Sequence, residues 1–246
     1  MMRKTVEITG VPVDHVTMEQ ALERVKQFLQ EDRVHTVYTP NAEIMMDARR
    51  NPEFKKILCS ADLCIADGAG VVLASRILGR PLPEKVAGID LSRNIFTLDI
   101  GRKLRVYLFG GKPGIAETAA ENILKDNNNV EIVGCRNGYF SKEEEPEIVK
   151  SIAAANPDLL LVALGKIKQE SFIYNHRDEL NSRVCIGVGG TLDVIAGKAT
   201  LAPEFFRRHG LEWLYRLYKE PKRFIRMLDL PKYVILTLAI KLRIKK

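Results

Sequence analysis

Short apolar runs recur along the chain at Thr36–Thr39, Leu63–Ala66, Val106–Phe109, Glu131–Gly134, Leu159–Leu164 and Val184–Val188. Each is too short for a buried helix, and turn-forming residues lie near most of their ends, so they read as strands. DLLLVALG (158–165) is apolar without alternation, as a strand covered on both faces should be. Between the runs lie amphipathic stretches. Across Val16–Leu29, the apolar Val16, Met18, Leu22, Val25 and Leu29 keep mostly to helical spacing, and Thr17 and Gln20 stand at capping-box spacing. Further helices are expected over 42–50, 52–58, 70–78, 89–99, 114–125, 142–154 and 169–180. Strand and helix in this alternation imply βαβ units and an α/β fold with a mainly parallel sheet.

The pattern changes after Ile195. AGKATLAPEFFRRHG reads as a connection, and the stretch beyond it mixes apolar and basic residues, with Pro221 and Pro231 breaking it into two or three short helices. A division follows: residues 1–195 as an α/β core and 196–246 as a small, helical, basic appendage.

Charge sharpens the division. Residues 196–246 carry 13 Lys and Arg against 4 Asp and Glu, while the rest of the chain is close to neutral. Such a tail should meet something anionic: a phosphorylated ligand, a membrane surface or nucleic acid. The four cysteines show no CxxC spacing and are expected to be buried, reduced thiols. The first residues, MMRKTVEITG, lack the apolar core of a secretory signal. No apolar stretch approaches the roughly 20 residues of a spanning helix.

Open α/β sheets bind ligands at the carboxyl ends of their strands. There the sequence places Thr39-Pro40-Asn41-Ala42-Glu43, Asp67-Gly68-Ala69-Gly70, Gly110-Gly111-Lys112-Pro113-Gly114, Gly165 followed by Lys168-Gln169-Glu170, and Gly189-Gly190-Thr191-Leu192-Asp193. Three of these are glycine-rich turns entering helices, which together suit a pyrophosphate. Two familiar cradles are absent. Gly187-Val188-Gly189 is followed by Leu192 where GxGxxG needs glycine, and no Gly-Lys pair is followed directly by Ser or Thr. Asp67 ends an apolar strand before a flexible turn. A carboxylate there either serves as a general base or caps the next helix. The four histidines have no ligand-like spacing, and no DxD pair occurs. No metal or other cofactor is therefore expected.

Read in order, TPNAE (39–43), ADGAG (66–70), PLPEKVAGID (81–90), LFGGKPG (108–114), LGKIKQE (164–170), GVGGTLDVIAG (187–197) and GLEWLYRLYKEP (210–221) resemble the WecG/TagA/CpsF glycosyltransferases, and within them the TagA branch. The resemblance implies a Rossmann-like core with helices on both faces, and a C-terminal appendage that aids membrane association and completes the active site. It implies an inverting transferase that moves N-acetylmannosamine from a UDP-sugar donor to N-acetylglucosamine on a polyprenyl diphosphate, making the wall teichoic acid linkage disaccharide. A relative using UDP-N-acetylmannosaminuronic acid or another UDP-sugar is the alternative. The enzyme would be cytoplasmic and peripheral on the inner face of the cell membrane, at an anionic membrane surface, with no nucleic-acid partner. A homo-oligomer is left open.

By the same resemblance, Asp67 is the catalytic base, with Thr39 and Asn41 as polar residues near donor and acceptor. Gln169 lies at the pocket, Asp193 with Gly189 and Gly190 grips the nucleoside, and Arg216, Arg223 and Arg226 suit the diphosphate. Gly110 and Gly111 belong to the glycine cradle. Lys85 stands where the family commonly has arginine, keeping the charge without the planar fork. The family usually reads GAPKQE where this chain has Lys166 and Ile167 in place of Ala and Pro.

Overall fold

The computed structural model describes residues 3–219, 221 and 224–244, without the side chains of Arg216, Arg243 and Ile244. Strands β1 (Thr5–Ile8) and β2 (Val11–Asp14) come first. They are followed by α1 (Met18–Phe28), β3 (His35–Tyr38), α2 (Ala42–Arg50), α3 (Pro52–Cys59), β4 (Leu63–Cys64), α4 (Ala69–Ile77) and α5 (Gly88–Phe96). Next come β5 (Leu104–Gly110), α6 (Ile115–Asp126), β6 (Val130–Arg136), α7 (Glu145–Ala155), β7 (Leu159–Ala163), α8 (Lys168–Asn175), β8 (Val184–Gly187) and α9 (Thr191–Ile195). The tail adds α10 (Glu204–Arg208), α11 (Glu212–Lys219), α12 (Phe224–Met227) and α13 (Asp229–Ile244).

Six strands form one sheet in the order β4-β3-β8-β7-β5-β6, every neighbouring pair parallel. The α/β reading therefore holds. The period of two along each strand feeds two cores. Leu160 and Val162 of β7 join Tyr107 and Phe109 of β5 on the face covered by α2, α3, α7 and α8. Leu159 and Leu161 join Val106 and Leu108 on the face covered by α1, α5, α6 and α9. Burial on both faces is why these strands lack alternation in the sequence.

The hairpin β1–β2 escaped the sequence reading. Its signal is the alternation of Val6, Ile8, Val11 and Val13, all buried. Thr9 and Gly10 between them both adopt positive φ, the geometry of a two-residue hairpin turn. Asp14 docks the hairpin on the sheet. It holds Arg3 through two bonds of 2.8 Å and accepts the Cys64 N–H at 2.7 Å.

The capping box of α1 forms as expected, with the Gln20 N–H donating to Thr17 Oγ1 and the Thr17 N–H to Gln20 Oε1. Pro231 does not break the tail. It sits in the first turn of α13, where its missing N–H costs nothing. The tail also reaches the core: Tyr233 and Thr237 of α13 are fully buried, and Arg50 of α2 forms a bidentate ion pair with Asp229. Cysteines 64 and 185 are buried, but Cys59 is exposed, since it falls on the outer face of α3 rather than in a strand.

Candidate active site

The loops at the carboxyl ends of the strands line one edge of the sheet. The Asp67 and Gly110 loops are four strands apart, or about 19 Å at the usual strand spacing. The residues picked out in the sequence thus divide into three groups along that edge.

Around β8 the groups bind one another. Thr39 Oγ1 donates to the Gly187 carbonyl at 3.1 Å. The buried Gln169 accepts the Gly189 N–H on Oε1 at 2.9 Å and donates from Nε2 to Glu170 Oε1 at 2.8 Å. Glu170 Oε2 accepts the Ile167 N–H at 2.7 Å, and burial pushes the Glu170 carboxyl above its ordinary range. Thr39 and Gln169 therefore hold the turn after β8 in place. Beside that turn there is room, since a Cβ on Gly189 or Gly190 would meet nothing within 4 Å. Asp193 is half-buried in the first turn of α9, where its backbone carbonyl accepts the N–H groups of Lys198 and Ala199.

At the β5 end, Gly110 has φ +133°, and a Cβ there would lie 2.3 Å from the Ala163 carbonyl oxygen. Its glycine is required by the approach of β7. The Gly111 N–H donates to that same carbonyl at 3.0 Å.

At the β4 end, Asp67 lines a small cleft of about 100 Å³ with Asn41, Glu43, Gly68, Glu212 and Trp213. The cap position of α4 belongs to Gly68, one residue beyond Asp67. Asn41 caps α2, its Oδ1 accepting the Ile44 N–H at 3.1 Å. The cleft opens into a second, largely apolar one of about 970 Å³, walled by Val72 and Leu73 of α4 and by Trp213, Leu217, Phe224 and Met227 of the tail. The tail arrives by a close contact. Gly210 has φ +69°, and a Cβ there would come within 2.7 Å of that of Ala69.

Two lysines near this end are engaged with acids of the chain. Lys85 pairs with Glu212. Lys166 Nζ lies 2.7 Å from Asp47 and 3.7 Å from Glu43. Ile167 takes φ +71°, which a proline cannot adopt. Arg226 is exposed on α12. Arg223 and the side chain of Arg216 lie outside the described residues. Glu212 and Trp213 were not singled out in the sequence, whereas Glu43 belongs to the run placed after β3. Glu212 could have been, as one of few acids in a basic tail, and Trp213 as the chain's single tryptophan. Among the described residues, no three His, Cys, Asp or Glu side chains converge as a metal site. No described helix is long and apolar enough to cross a membrane.

Residues 6–246 match the Glycosyl transferase WecG/TagA/CpsF family. The chain belongs to this family. Three curated relatives are each named N-acetylglucosaminyldiphosphoundecaprenol N-acetyl-beta-D-mannosaminyltransferase. That of Bacillus spizizenii strain W23 is 38% identical over 84% of this chain and 80% of its own length. That of Bacillus subtilis strain 168 is 32% identical over 96% and 91%. That of Staphylococcus aureus strain MRSA252 is 32% identical over 98% and 95%.

Proposed function

We propose that this chain transfers N-acetylmannosamine from its UDP form to N-acetylglucosamine on undecaprenyl diphosphate, with inversion at the anomeric carbon. The observation that carries the reading is the position of Asp67 in a small cleft of mixed lining, shared with Asn41, Glu43 and Glu212, beside a larger and mostly apolar one formed with the tail. The polar part suits sugar hydroxyls and the apolar part the first isoprene units of a lipid. In the proposed step, the Asp67 carboxylate takes the proton of the acceptor 4-hydroxyl. That oxygen bonds to the anomeric carbon as the bond from that carbon to UDP breaks, and UDP leaves with the electron pair. Arg216, Arg223 and Arg226 are assigned to the charge that develops on the diphosphate. Gly189, Gly190 and Asp193 are assigned to the nucleoside end, within the turn that Gln169 and Thr39 hold.

Residues 196–246 are read as the appendage that completes the site and meets the inner face of the membrane. The donor reading is supported by the pairing of Lys85 and Lys166 with acids of this chain. A uronate donor would need a cation for its carboxylate. The test is UDP release and disaccharide formation on a short-chain lipid acceptor with UDP-N-acetylmannosamine, its uronate and UDP-N-acetylglucosamine as separate donors. Turnover with the first and little with the others is expected. Preference for the uronate would overturn the donor assignment.

A further inference from the structure

A third cavity, of about 580 Å³, lies between the β1–β2 hairpin, the far end of α4 and the later turns of α13. Arg49, Lys55 and Arg80 line it, opposed by the acid Glu7. None of the three cations has an ion-pair partner among the described residues, whereas Arg50, Lys85 and Lys166 each hold an acid. The opposite wall is apolar: Leu236, Ala239 and Ile240 of α13. On the same helix Ile235, Leu238 and Leu242 follow at helical spacing and are exposed to 66%, 47% and 67%. Three cations against one acid, beside an apolar wall and an exposed apolar stripe of the same helix, form a surface for an amphiphile that carries a negative charge.

We propose that this cavity holds the phosphate headgroup of an anionic phospholipid, with the acyl chains lying along the Ile235–Leu242 face of α13. Charge complementarity selects the phosphate, and the apolar stripe selects a lipid over free phosphate. The first turns of α13, at Leu230 and Val234, line the large apolar cleft beside Asp67, and its later turns line this cavity. Leu230 and Ile240 are about 15 Å apart along the helix. A headgroup bound here lays α13 in the bilayer interface and turns the apolar cleft toward the lipid. The site thus goes beyond the transfer reaction, and only the choice of a bilayer as its setting rests on that reading.

The experiment uses the full chain, vesicles of phosphatidylcholine with and without phosphatidylglycerol, and co-sedimentation without any sugar donor. Neutralising each cation should lower partitioning onto the mixed vesicles about fivefold, and R49S/K55S/R80S together about a hundredfold. A control triple on exposed lysines of other faces, K125S/K142S/K150S, should lose far less. Equal loss in the two triples would mean diffuse attraction and overturn the site, as would no loss in either. Arg80→Lys should bind like the unaltered chain, and Arg80→Ser alone decides the matter if the triple melts early. I235S/L238S should weaken vesicle binding too. If the cavity triple instead loses affinity for soluble glycerol phosphate while vesicle binding stays, the occupant is a soluble phosphate and the proposal fails. Turnover of the triple on a soluble short-chain acceptor should be unchanged, and a fall there would place these cations in the transfer site instead. Absent turnover with intact headgroup binding would sink the transferase reading and leave this one standing.

Discussion

The Lys85 ammonium meets the Glu212 carboxylate across 127 positions of sequence, joining the loop before α5 to the first turn of α11. Both side chains are about three-quarters buried, and both line the clefts next to Asp67. The pair is a latch between core and tail. Lys85→Met and Glu212→Gln should each lower kcat/KM on a soluble acceptor about tenfold, and the double variant no further, because one interaction is lost in all three. A double-mutant cycle on kcat/KM checks this. Effects that multiply would show two independent residues.

Replacing Asp67 with asparagine keeps the size of the side chain and removes its basicity. Turnover should fall by about 10² to 10⁴, with UDP affinity nearly unchanged. Calorimetry with UDP and saturating-substrate rates measure the two separately. A variant retaining most of its turnover would remove Asp67 from the proton transfer.

Ile167 is a β-branched residue at positive φ, a conformation that costs about 1–3 kcal/mol. Its side chain packs at the edge of the core, so the two effects compete. Ile167→Gly should be neutral to slightly stabilising, and Ile167→Pro should destabilise by about 3 kcal/mol or more, since proline fixes φ near −65°. Urea denaturation reads both. A stable proline variant would show that this loop can give up its positive φ at no cost.

The Arg50 guanidinium holds the Asp229 carboxyl below its ordinary range. A lowered carboxylate pKa in the folded chain gives stability that is present above the unfolded value and lost as pH falls through the folded one. Arg50 is half exposed, which reduces the worth of the pair. Asp229→Asn should cost about 1 kcal/mol near pH 7, and the gap from the unaltered chain should close below about pH 4. An equal gap in neutral and acid urea titrations would show that the ion pair is not its source.

Turnover is expected to survive EDTA. The chain has no DxD pair, and the proposed charge neutralisation rests on arginines. Loss of activity on chelation, restored by Mg²⁺ or Mn²⁺, would overturn this.

The sequence by itself determined the six strands of the parallel sheet, most of the helices and the loops that face the ligand edge. Those depend on local patterns: the unbroken apolar run at 158–165, the capping box at Thr17 and Gln20, glycines after strands. It also carried the family, because several motifs in order are specific. Only the tertiary structure decided which loops became neighbours. In a parallel sheet the order of strands is set by long crossovers and shared burial, not by local preference. Thus Thr39 reaches Gly187, and Gln169 reaches Gly189, through the placement of β8 between β3 and β7. The basic tail shows the same limit. Its composition marks it as distinct, yet the burial of Tyr233 and the partners of Glu212 and Asp229 lie on segments far away in the chain. A local pattern shows that a residue is apolar or charged. Its contact partner is chosen by packing, which sums over the whole chain.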